Sequence, residues 1–155
     1  MAIAIRSAVP ADRAFVEGLA ARLVDGFDVP AHRTKPELIE GDRRALEGWF
    51  KGPARPDEAI FIAELDGQPA GCAYLVTLVD YFNERPHAHL SVLAVAKHAE
   101  GNGVGTALLD HCAAWARQRG SDRLTLSALV TNGRARSLYE HKGFRGEYTR
   151  YVLSL

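Results

Sequence analysis

A mixed α/β fold is the architecture this sequence predicts, and three observations predict it. Apolar segments of strand length recur along the 155 residues, amphipathic segments of helical period sit between them, and glycine- or proline-bearing turns separate the two kinds. A chain of this length has enough residues for one domain with a substantial core, so residues 1–155 are expected to form a single domain.

The elements follow in order. Ile3 to Arg6 reads as a short first strand, and Pro10 opens a helix in which Phe15, Leu19 and Leu23 recur at helical spacing. Asp25 to Pro36, with its glycine, prolines and mixed charge, is a loop. Glu37 to Phe50 sets Leu38, Leu46 and Trp49 among charges, the pattern of a partly exposed second helix. Ala59 to Leu65 and Ala70 to Val79 flank Asp66-Gly67-Gln68-Pro69, which predicts a hairpin. After a loop at Tyr81 to Pro86 come a strand from His87 to Val95, a helix from Gly103 to Arg119 stopped by Gly120, and a strand from Arg123 to Val130. Asn132 caps a helix running to about His141, and Tyr148 to Leu155 is expected to close the sheet.

Charge and cysteine usage narrow the function. Lysine plus arginine (19) balance aspartate plus glutamate (19), so there is no global field to hold nucleic acid or an anionic membrane. Cys72 and Cys112 lie in apolar segments and read as buried free thiols, which fits a reducing cytoplasm and leaves no metal set. Met1 to Arg6 lacks the pattern of a signal peptide, and no stretch approaches the roughly 18 apolar residues of a membrane span. The expectation is a soluble, cytoplasmic protein.

The chemistry concentrates in Glu100-Gly101-Asn102-Gly103-Val104-Gly105-Thr106, between an apolar strand and an amphipathic helix. Alternate glycines let the backbone turn sharply and aim N–H groups into one concavity at a helix N-terminus, where phosphate is favoured. Two familiar phosphate loops fail on chemistry. A Walker loop needs Gly-Lys-Ser/Thr at its end, and a dinucleotide fingerprint wants glycine where Thr106 stands and an acid at the far end of the next strand. A purely structural turn remains the competing account of the glycines alone.

A second constellation raises the specificity. Asn132, Ala135, Tyr139, Gly143 and Phe144 form Asn-x-x-Ala-x-x-x-Tyr-x-x-x-Gly-Phe, and Gly103 and Gly105 supply x-x-Gly-x-Gly after Leu93-Ala94-Val95. These two linked motifs, in this order, resemble the GNAT superfamily of acyl-CoA-dependent N-acyltransferases. The resemblance implies a central, twisted, mostly antiparallel sheet of about six to seven strands flanked by about four helices. It implies acetyl-CoA as acyl donor and needs no metal. Its pyrophosphate would rest on backbone N–H groups of Gly101, Asn102, Gly103, Val104, Gly105 and Thr106. The pantetheine arm would pair with the exposed backbone of Leu93, Ala94 and Val95 and meet Asn132, Ala135 and Tyr139. Glu100 departs from the pattern, which has Gln or Arg there, and is expected to point away. Lys97, Arg134, Arg136 and Lys142 are within reach of the nucleotide phosphates or form a solvated face.

The same resemblance places Tyr139 against the sulfur. A phenol of pKa about 10 facing a thiol near 8.5 makes full proton transfer uphill by roughly 2 kcal/mol, so hydrogen-bond donation to the leaving thiolate is its expected role. A lysine-like acceptor amine is neutral in only about one molecule in 2,500 at pH 7, so a base is needed. Many members of the family carry a glutamate on this strand, whereas His87-Ala88-His89-Leu90-Ser91-Val92-Leu93 has no carboxylate. His89 is the candidate base, on a face expected to include Ser91 and Leu93, with His87, Asp80, Tyr81 and Glu84 in reserve. The acceptor, a small-molecule or peptide amine, would be met by Gly26 to Phe50 and Asp80 to Pro86, which hold Phe27, Asp28, His32, Trp49, Tyr81, Phe82 and Glu84. The same aromatics suit a homodimer contact. Two other functions compete: a non-catalytic acyl-CoA sensor and a protein-interaction domain.

Overall fold

The computed structural model describes residues 1–155. One sheet runs in the order β1 (Ile3–Ser7), β2 (Ala59–Leu65), β3 (Gln68–Val79), β4 (Pro86–Val95), β5 (Leu124–Leu126). The first three pairings are antiparallel and β4/β5 is parallel. Four α-helices accompany it: α1 (Arg13–Gly18), α2 (Lys35–Lys51), α3 (Val104–Gln118) and α4 (Gly133–His141).

Period-two alternation in the strands sorts the core into two layers, one on each face of the sheet. Phe61, Ala63, Ala73 and Leu75 face α3, whose Leu108, Leu109, Cys112 and Trp115 recur on one side of that helix. Ile60, Ile62, Cys72 and Tyr74 face the opposite way, onto Val16, Leu19 and Leu46 from the first helical segment and α2. Cys72 and Cys112 are therefore free, fully buried thiols on opposite sides of the sheet.

The alternation is broken once where it matters. Tyr74 pairs with Val92 while Leu75 pairs with Leu90, so Ser91 is an extra residue in β4, a β-bulge. Before it Ala88 and Leu90 face α3; after it Val92 and Ala94 face the α2 layer. The bulge also marks where β4 loses its parallel neighbour, because the β4/β5 ladder ends at Leu90–Leu126.

Several expectations are corrected. A mostly antiparallel sheet of six to seven strands becomes a mixed sheet of five. The strand expected over Arg123 to Val130 shrinks to Leu124–Leu126, since past the bulge β4 diverges and offers no partner. Tyr148 to Leu155 forms no strand: Tyr151 and Leu153 are 89% and 82% exposed, and the three-residue β5 gives the tail little edge to pair with. The first helix is interrupted, with 3-10 turns at Pro10–Asp12 and Leu19–Val24 around a short α1 that ends at Gly18. No helix is long and apolar enough to cross a membrane.

Candidate active site

The divergence of β4 from β5 opens a cleft of about 340 Å³. Its walls are Leu93, Ala94 and Val95 of β4, Gly103 to Thr106 at the start of α3, Asn132, Ala135, Leu138 and Tyr139 at α4, Arg22 and Leu23 from the first helical segment, and Phe27 from the loop after it. The two sequence motifs thus meet across one space, with Gly101 and Glu100 also in its lining.

The glycine run forms as its composition requires. Gly101 (φ 77°) and Gly103 (φ 81°) sit in the left-handed region, which costs an L-residue roughly 1–2 kcal/mol, and the turn delivers the chain directly into α3. The six consecutive N–H groups from Gly101 to Thr106 donate to no protein acceptor; the first bonded amide of the helix is that of Ala107, to Gly103 O at 3.0 Å. Helix N-termini leave such donors free, and here two glycine turns add more on the same rim. A Cβ at Gly105 would make ordinary van der Waals contact with both walls, 3.6 Å from Leu138 Cδ2 and 3.7 Å from Val95 Cγ2, so the glycine keeps the cleft wider there by one methyl group.

The other wall presents strand backbone. Ala96 N donates to Ala70 O on the β3 side, so two-residue alternation turns Ala94 N–H to β3 as well and directs the N–H and C=O of Leu93 and Val95 to the free edge. Arg22 Nε donates to Val95 O at 3.2 Å, which confirms that direction. Opposite, Asn132 caps α4 by accepting from Ala135 N at 3.2 Å, which uses its Oδ1 and leaves its side-chain NH₂ available in the cleft. Tyr139 lines the same cleft, its ring edge-on to Phe144 with centroids 5.9 Å apart. Burial raises its pKa, keeping the phenol protonated.

The profile of the Acetyltransferase (GNAT) family matches residues 19–144, which include both walls of this cleft. The chain belongs to that family. It is 49% identical over 116 residues to a mycothiol acetyltransferase of Beutenbergia cavernae; the match takes in 74% of this chain and 36% of that protein, so the chain spans about a third of that relative's length. A streptothricin acetyltransferase of Streptomyces lavendulae is 28% identical over 154 residues, covering 90% of this chain and 79% of the relative. Among solved structures, aminoglycoside N-acetyltransferase AAC(6')-Iy in complex with CoA shares the fold at TM-score 0.72 and 20% identity, covering 99% of this chain and 94% of that one.

Glu100, the departure from the GNAT pattern, does not point away. Its carboxylate binds Arg22 Nη2 and lies 3.4 Å from Arg134 Nη1, and the Arg22 bond chiefly holds its pKa below the ordinary range. Arg22 also bonds Asp25 at 2.5 Å. Burial works against the Arg22 charge, but the bonds to Glu100 and Asp25 outweigh it. Of the other cations proposed for phosphate, Arg136 caps Val130 O at 3.0 Å and Lys142 pairs with Asp110 at 2.6 Å, so only Arg134 joins the cleft lining.

The expected face of His89 is also corrected. The Ser91 bulge puts His89 on the α2 side with Val76, its partner in β3, while Leu93 faces α3. His89 is not among the cleft-lining residues. Its Nδ1 lies 2.8 Å from Thr125 Oγ1, and His87 Nε2 reaches the same hydroxyl at 3.0 Å. Burial lowers the His89 pKa and the His87 charge lowers it further. His87 is buried, and Asp80 is tied into its own loop, accepting from Phe82 N and Asn83 N.

Of the aromatic and acidic residues proposed to meet the acceptor, Phe27 lines the cleft. Trp49 packs edge-on against Phe50 in the α2 layer, and Tyr81 and Phe82 stand exposed at the loop before β4. Arg22 and Thr125 are the residues that sequence reading missed. Arg22 is one charge in a charged helix, and Thr125 sits between two leucines in a strand, so neither position carries a local signal.

Proposed function

We propose that the protein is an N-acetyltransferase that moves an acetyl group from acetyl-CoA to the primary amine of a small molecule, by direct attack within a ternary complex. The observation that carries this is the run of unpaired N–H groups from Gly101 to Thr106 facing an open strand edge at Leu93 and Val95. The first suits a diphosphate, and the second suits the amides of a pantetheine arm.

Each residue has a distinct task. The Gly101–Thr106 backbone takes the diphosphate, Gly105 leaves room for it, and the side-chain NH₂ of Asn132 meets the arm. Leu93 N–H, which points to the free edge, stabilises the oxyanion, a task the inward N–H of Ala94 does not perform. Tyr139 donates its hydroxyl proton as a hydrogen bond to the leaving thiolate. His89, kept neutral by burial and oriented by Thr125, takes the proton of the acceptor ammonium through water, leaving the nitrogen lone pair free to attack. Relatives named for mycothiol, streptothricin and aminoglycosides support a small-molecule acceptor. An aromatic ring in the cleft lining, Phe27, suits an ammonium group.

Thermal melting with and without acetyl-CoA tests binding: a ligand at 100 times its Kd stabilises by about 2.7 kcal/mol. Release of free CoA thiol on addition of amines tests turnover. A protein that melts higher with acetyl-CoA yet releases no thiol across a broad amine panel would be the acyl-CoA sensor, and one with no shift would not use this donor.

A further inference from the structure

Arg22 connects three things at the cleft rim. Its Nε donates to Val95 O on the free edge of β4, its Nη1 to Asp25 and its Nη2 to Glu100, which also faces Arg134. Arg22 and Glu100 adjoin the amide cradle directly, and both line the cleft. The network contains two guanidiniums and two carboxylates, so it is neutral as it stands. Arg22, with all three nitrogens engaged, serves an anionic ligand fully only if Glu100 gives it up, because a guanidinium cannot offer the same donors to a carboxylate and a phosphate, and Arg134 is drawn toward Glu100 through one nitrogen.

We propose that Glu100 is a built-in competitor of the donor's phosphates: it occupies the guanidiniums of Arg22 and Arg134 in the free protein and yields them to the diphosphate on binding. This rests on the donor site described above and adds to it a residue, Arg22, that lies some 80 positions before the phosphate-binding motif yet supplies the cation lacking at position 100. The exchange also frees Val95 O, which Arg22 caps, so phosphate capture and opening of the strand edge are one movement. Glu100 then sets donor affinity below what the cradle and the two arginines would give alone, which favours release of the CoA product.

The test compares CoA with pantetheine, which lacks the phosphates, by calorimetry on the whole chain. Glu100→Gln leaves the two guanidiniums with one carboxylate between them, and CoA is expected to bind about fivefold more tightly while pantetheine changes less than twofold. Arg22→Gln is expected to weaken CoA about tenfold without weakening pantetheine, and Arg22→Lys to recover part of that loss. Glu100→Gln is on a partly exposed side chain and reads independently of whether Arg22→Gln folds. The proposal is overturned if Glu100→Gln weakens CoA or leaves it unchanged, or if Arg22→Gln weakens CoA and pantetheine alike, the mark of a purely structural arginine. Wild-type protein that is folded but binds no CoA would defeat the donor site itself and this inference with it.

Discussion

From Ala88 to Leu90, β4 has a strand on each side, and what this half of the strand offers to chemistry is side chains: His89, and His87 just before it, converge on Thr125 of β5. From Val92 to Val95 it has a strand on one side only, and what it offers is backbone: the N–H and C=O of Leu93 and the N–H of Val95, with Val95 O held by Arg22 Nε. One extra residue, Ser91, separates the halves and turns their side chains to opposite faces of the sheet. The contrast teaches how the proposed donor site and the proposed base can be adjacent in one strand without competing for space. The backbone half suits the proposed donor through groups that every residue carries, whereas the side-chain half depends on which residues stand there, here two histidines.

Breaking the backbone half should cost most. Gly103→Val forces a β-branched residue to φ 81° and turns the cradle amides aside; loss of two charge-assisted bonds at about 1.5–3 kcal/mol each raises the KM for acetyl-CoA on the order of 1,000-fold. Steady-state kinetics with varied donor would check it, and a KM within tenfold of wild type would mean that the amides do not bind the donor. Breaking the side-chain half should be next. His89→Ala is expected to lower kcat/KM about 100-fold and remove the acid limb of its pH profile. Because burial lowers the His89 pKa, that limb should lie below the ordinary histidine value of 6.5 in the wild type, activity rising as the imidazole loses its proton. A profile unchanged by the substitution would take the base role from His89.

Tyr139→Phe sharpens the comparison from the cleft's far wall. Removing a hydrogen bond to a developing charge should slow kcat about tenfold or more with acetyl-CoA affinity nearly unchanged, and equal turnover would end the assignment. The smallest effect belongs to stability. His89 and His111 both have pKa values lowered by burial, so below about 6.5 the unfolded chain binds protons that the folded one does not. Melting temperature should therefore fall as pH drops from 6.5 toward 5, and His89→Gln should flatten part of that slope in differential scanning calorimetry.

Much of this arrangement could be read in advance. The hairpin of β2 and β3 announces itself through Asp66-Gly67, and the two layers follow from the alternation of Ile60, Phe61, Ile62 and Ala63. The cradle and the α4 cap are legible because glycine at positive φ and asparagine at an N-cap are local requirements. The bulge is not, since β4 is apolar on both faces from Val92 to Val95 and a one-residue slip leaves no trace in such a pattern. The short β5 and the unpaired tail were hidden for a related reason: Tyr148 to Leu155 has strand composition, but pairing depends on an edge supplied elsewhere in the chain. Arg22 and Glu100 are 78 residues apart, a distance across which charges in a sequence show no partnership.

The two cysteines lie one in each layer of the core, and burial pushes both thiols up to about 12. Burial keeps both thiols protonated and away from solvent, so thiol reagents that detect released CoA will meet little background from the folded protein. The same reagents become a clock for each side of the sheet separately: Cys112 reports on the α3 layer and Cys72 on the α2 layer. Equal labelling rates at the two positions mean that the layers separate together, and unequal rates identify the half that opens first.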